Sequence, residues 1–124
     1  MNSVGQVVAV LAGLLHVAIW VMESLVFSRP PFHRLFRVRP EHVPAVRLWA
    51  FNQGFYNLFL GVGAIGGVVV LHVGDETVGR TLALFCCACM VAAGIVLFSS
   101  ERRLWRAALV QAVPALVVLS ASLV

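Results

Sequence analysis

Four apolar runs, covering residues 4–27, 48–71, 78–98 and 104–124, leave this chain few ways to fold. Each is long enough to cross a bilayer as a helix, since about 20 residues at ~1.5 Å rise span the ~30 Å hydrocarbon layer. The breaks between them are sharp. Ser28-Arg29-Pro30-Pro31 cannot continue a helix, because consecutive prolines remove backbone donors and clash with the preceding turn. His72-Val73-Gly74-Asp75-Glu76 and Ser99-Ser100-Glu101-Arg102-Arg103 are short polar turns. No hydrophilic stretch is long enough for a soluble domain. With 61% hydrophobic and 11% charged residues, the chain lacks the polar side chains to cover a water-facing surface. The expected fold is an all-α integral membrane four-helix up-down bundle, a single domain over residues 1–124, with short second and third connections forcing neighbours antiparallel. The first run is expected to be retained rather than removed as a signal peptide. It carries no base at its start, runs past the usual apolar core and has no small-residue cleavage site after it.

Charge predicts orientation. The formal charge is +4, from nine arginines and no lysine against five acids. Arg29, Arg34, Arg37, Arg39 and Arg47 lie in the first connection, Arg102 and Arg103 in the third with Arg106 just beyond, while the second has Asp75, Glu76 and only Arg80. Basic connections stay cytoplasmic, so both termini are expected outside a cell membrane, the inner membrane being the expected location. Arginines scattered between apolar runs suit lipid headgroups, so the lipid bilayer is the expected partner. Nucleic acid is not, because no continuous basic footprint exists. Pro30-Pro31-Phe32-His33-Arg34-Leu35-Phe36 reads as an interfacial anchor in preference to a lid. Cys86, Cys87 and Cys89 sit within an apolar run, where a packing role outweighs redox or zinc chemistry for the Cys86-x-x-Cys89 pair.

Polar residues inside spans carry the functional signal. Glu23 is the only acid within a run. His16, Trp20 and Glu23 follow i, i+4, i+7 spacing and share one helical face. The second run opens with Asn52, Gln53, Tyr56 and Asn57, and Gln111 of the fourth falls at about His16's depth. A charge in hydrocarbon costs about 2.5–3.5 kcal/mol or more, so these groups are expected to turn inward and meet in the cytoplasmic half. Each has a plainer alternative: Glu23 paired with Arg29, His16 as a core hydrogen-bonding residue, the amides as interhelical glue worth ~0.6–2 kcal/mol each. Gln111 could serve the Val110 carbonyl that Pro114 leaves without a donor, in a helix Pro114 is expected to kink. Gly63-x-x-x-Gly67 suits either an internal helix contact or the seam of a homodimer. Neither haem nor a metal is expected as a cofactor, because His33, His42 and His72 fall in connections and His16 with Glu23 supplies too few ligands.

His16-x-x-x-Trp20-x-x-Glu23, Phe36, Asn52-Gln53-Gly54-x-Tyr56-Asn57-x-Phe59-Leu60, Ala93-Gly94 and Gln111-x-x-Pro114-Ala115 together resemble the DUF1304 family of small membrane proteins. The resemblance runs nearly end to end and implies four membrane helices without an assigned activity. Trp20 stands where that family more often has Tyr, so no hydroxyl is available there. Three functions fit the residues. The first is binding or transport of a small molecule, proton-coupled at Glu23, in an architecture similar to small multidrug-resistance transporters. The second is an isomerase-type enzyme in which Glu23 and His16 exchange protons with a lipid-soluble substrate. The third is a structural or accessory subunit locked by the cluster. No catalytic serine constellation or phosphate loop appears.

Overall fold

The computed structural model describes residues 1–123, so the last residue of the expected fourth span, Val124, lies outside the described residues. Helix α1 (Ser3–Trp20) runs into a five-residue π turn (Val21–Leu25). The first connection contains a short helix α2 (Pro30–Leu35) and a 3₁₀ turn (Pro40–His42). Then follow α3 (Val43–Val73), α4 (Glu76–Ser100), a 3₁₀ turn (Arg102–Leu104) and α5 (Trp105–Ala121). The architecture is an all-α four-helix bundle with four segments long and apolar enough to cross a membrane. Helices α1 and α4 face each other diagonally, each packed between α3 and α5.

Local chemistry starts and stops these helices. The Asn2 side chain caps α1 by accepting from the Gly5 N–H at 2.9 Å, and Asp75 caps α4 by accepting from the Val78 N–H at 2.9 Å. Prolines stand in the first turns of α2 and α3, where a missing N–H costs nothing. Helix α2 ends in a Schellman motif: the Val38 N–H reaches the His33 carbonyl at 2.9 Å and the Arg37 N–H reaches that of Arg34 at 2.9 Å. Arg37 occupies the left-handed position of this motif, at φ 58°. In the third connection, hydrogen bonds from Arg103 hold the Glu101 carboxyl at about 2, well below its ordinary 4.5, and the Arg37 charge adds to the effect.

Small residues let the helices touch. The inner faces carry Ala9, Ala12, Ala64, Ala83 and Ala115, closed around Met90, Cys87 and Val118, all buried. With hydrocarbon outside as well as inside, such contacts gain mainly from van der Waals packing, which close backbone approach increases. Gly13 meets Gly61, where a Cβ on Gly61 would lie 2.6 Å from the Gly13 carbonyl oxygen. Gly63 and Gly67 both face α4: a Cβ on Gly67 would lie 2.6 Å from the Ala83 nitrogen, and one on Gly63 2.5 Å from Cys86 Sγ. That glycine pair is therefore an internal contact, and Cys86 packs against it.

Two expectations change. Helix α3 starts five residues before the expected span and runs 31 residues, about 46 Å, so it outlasts the ~30 Å hydrocarbon layer. Its protruding first turns carry a second small core of Phe27, Val43 and Ala50, against which Phe36, Val38 and Val46 of the arginine-rich end pack. The connection is thus folded onto α3 as well as bearing exposed Pro31 and Leu35. His72, expected in the second connection, lies in α3, while His33 stays in the first connection but within its short helix. His33 is buried in α2 with Nδ1 2.8 Å from the Val38 carbonyl, and His72 in the last turn of α3 bonds Gln6 at 2.7 Å. Pro114 lies within α5, in the fourth span as expected.

Candidate intramembrane polar site

Glu23 stands in the middle of the π turn, whose closing bond runs from the Val26 N–H to the Val21 carbonyl at 3.1 Å. A π turn inserts one residue into the helical repeat, and such insertions often occur at functional sites. Here it changes the aim of Glu23 relative to a continuous α-helix. Glu23 Oε2 accepts a hydrogen bond from Asn57 Nδ2 at 2.8 Å, joining α1 to α3. Asn57 is buried and its amide also donates to the Gln53 carbonyl at 3.2 Å.

The approach is close because Gly54 lies on α3 directly against Ser24 and Glu23. Ser24 Oγ donates to the Phe51 carbonyl at 2.7 Å, adding a second tie between the π turn and α3. Ser24 lies outside the expected set of site residues. Its signal was a small hydroxyl beside the one intramembrane acid, opposite a glycine that admits close contact. Trp20 packs edge-on against Phe55, with ring centroids 5.9 Å apart, which fixes its indole at this junction.

His16 is fully buried, with Nδ1 2.9 Å from the Ala12 carbonyl oxygen. A carbonyl only accepts, so Nδ1 carries the hydrogen and a neutral ring presents a lone pair at Nε2. That Nε2 is buried without a protein partner, as is the indole N–H of Trp20. Buried polar atoms are nearly always hydrogen-bonded, so two orphans four residues apart on one helix are unusual. One accepts and the other donates. A hydroxyl group is the simplest complement, able to donate to the first and accept from the second.

The remaining candidates divide. Gln111 is half-buried on α5, and counting eleven residues along both helices from the Gly5–Ala121 contact brings it within one residue of His16's level. Asn52, Gln53 and Tyr56 are exposed, which corrects the expectation that all the polar residues of this segment turn inward. The Asn52 amide donates to its own helix, at the Leu48 carbonyl, 2.9 Å away. Helix rotation accounts for this. The buried stripe of α3 runs through Ala50, Gly54, Asn57, Gly61, Ala64 and Val68, with Gly54, Asn57 and Gly61 against α1 and its π turn, and Asn52 and Tyr56 sit on another side.

The core of the site is thus His16, Trp20, Glu23 and Asn57, supported by Ser24 and Gly54. Among the described residues, no three His, Cys, Asp or Glu side chains converge as metal ligands would. No curated protein and no solved structure matches the chain. The family model described as a protein of unknown function, DUF1304, matches residues 10–123, a stretch that takes in the whole site and all but the start of α1. With nearly its full length covered, the chain belongs to the DUF1304 family.

Proposed function

We propose that this protein binds a small, largely apolar molecule carrying a hydroxyl group, within the half of the bundle nearest the arginine-rich connections, and that Glu23 couples this binding to a proton. The observation that carries the proposal is the pair of buried, unpartnered atoms, His16 Nε2 and Trp20 Nε1. Polar residues that merely glued helices together would satisfy one another, as Asn57 and Glu23 do. A hydroxyl ligand completes the hydrogen bonding of both orphans and lays its apolar body among the surrounding aromatic and aliphatic side chains. Glu23 is the one acid in a span, and loss or gain of its proton changes what Asn57 and the ligand meet. In a transporter, that change drives release.

A second reading rests on the same lone pair. A base at His16 Nε2 within two helical turns of a carboxyl group is the equipment for moving a proton between two carbons of a lipid-soluble substrate, as an isomerase does. Turnover, rather than binding alone, would favour it.

The test uses 1-decanol as the probe and the three indole N–H signals as reporters. In the detergent-solubilised protein, the Trp20 signal is expected to shift saturably with decanol and not with decane. Trp49 and Trp105, both exposed, serve as internal controls. His16→Leu should abolish the saturable shift. Glu23→Gln should keep binding but remove its dependence on pH. If all three indoles move together, or His16→Leu binds as the wild type does, the hydroxyl site does not exist.

A further inference from the structure

The arginine-rich end holds a second feature that the intramembrane site does not use. All of the chain's net charge resides there. Residues 28–47 carry five arginines and one glutamate, and the remaining four arginines are matched by four acids. Two clefts of about 450 and 400 Å³ open on this end and share Ser28, Pro44 and Arg47, so they form one continuous groove. Arg34 joins Arg47 at its upper part, while Leu25, Leu48 and Phe51 line the lower part.

The groove is graded in the same sense as a lipid molecule. Arg47 lies one helical turn above Phe51, and the ~20 residues that follow Phe51 suffice to cross the hydrocarbon layer. The arginines therefore stand at headgroup depth and the apolar wall at the start of the acyl region. Neither arginine is neutralised: among the described residues the one ion pair joins Arg103 to Glu101. In the third connection Arg102 lies over the Phe98 ring and Arg106 over that of Trp105, at 5.9 and 5.2 Å, so those cations are already engaged. Proline at positions 30, 40 and 44 fixes the backbone around the mouth, and the small core under α2 holds Arg34's helix in place. Ordering costs on binding are low for such a preformed site.

We propose that this groove seats an anionic membrane lipid, with its phosphate between Arg34 and Arg47 and an acyl chain along Leu25, Leu48 and Phe51. Guanidinium groups suit the recognition because they offer forked donors to phosphate oxygens. The groove borders the proposed hydroxyl site at Ser24, but it uses none of His16, Trp20, Glu23 or Asn57 and stands or falls without that site.

The experiment is native mass spectrometry of the detergent-purified protein with equal amounts of phosphatidylglycerol and phosphatidylcholine. Retention of phosphatidylglycerol over phosphatidylcholine is expected. The R34Q/R47Q protein should retain about tenfold less of it, or lower still, from two arginines at the membrane surface. R102Q/R106Q removes the same charge and should change retention by less than about twofold. R34K/R47K should recover part of the loss. If the R34Q/R47Q pair disturbs the fold, R34Q alone on its exposed side chain must still lower retention. Equal losses in the two double variants would mean diffuse attraction and overturn the site. Absence of headgroup preference, or displacement of the lipid by millimolar inorganic phosphate, would overturn it too.

Discussion

His16 illustrates how one backbone contact determines the chemistry of a side chain. Because the Ala12 carbonyl takes the hydrogen of Nδ1, Nε2 of the neutral ring is left as an acceptor in the interior. Arg37 illustrates strain at the opposite extreme of exposure. Its φ of 58° suits glycine or asparagine, and holding a Cβ-bearing residue there costs roughly 1 kcal/mol. Arg37→Gly is expected to raise the thermal stability of the detergent-solubilised protein by about that amount, or less because glycine also frees the unfolded chain. A lower melting temperature would show that the arginine head group contributes more than its backbone costs. Residue identity alone pointed to Glu23, His16 and Asn57, since polar groups are rare in spans. It could not separate Asn57 from Asn52, because both are amides in the same run and only the facing helix distinguishes them.

At the scale of elements, the decisive features are the π turn and the glycine contacts. Helical spacing put His16, Trp20 and Glu23 on one face, yet nothing in the residues between Val21 and Leu25 announced a π turn. It arises where α1 must meet α3 at Gly54 and Ser24. The Gly13–Gly61 crossing carries the α1–α3 contact through the membrane. Gly61→Val is expected to destabilise the protein by about 2 kcal/mol or more, because the new side chain meets backbone that cannot move aside. Gly66→Ala is the matched control. A Cβ there meets nothing within 4 Å, and alanine should be neutral or add up to about 1 kcal/mol through helix propensity. Thermal unfolding of the two variants checks the pair, and equal effects would mean that the crossing is not close.

For the whole molecule, both termini meet at one end. Asn2 Nδ2 donates to the Ala121 carbonyl at 3.1 Å, Gln6 pairs with His72, and Arg80 donates to the Ser122 carbonyl at 3.1 Å. The arginine-rich first and third connections occupy the other end. The bundle thus presents its charge asymmetry along its own axis, and we expect the arginine-rich end to face the cytoplasm. Reporter fusions at the N-terminus, the C-terminus and residue 74 should all report the outside, and one in residues 28–40 the inside. The reverse pattern would invert the orientation.

Chain composition and the spacing of apolar runs by themselves determined the helical class, the four spans, the up-down order and the existence of polar groups in the membrane. These follow from the solvent, since hydrocarbon tolerates only helices or closed barrels and charges every buried polar group for its lost water. Only the tertiary structure decided which of those groups meet. Helix rotation, the length by which α3 outlasts the bilayer, and the backbone approach at Gly54 depend on the surface of the neighbouring helix. Periodicity along one segment carries no record of that surface.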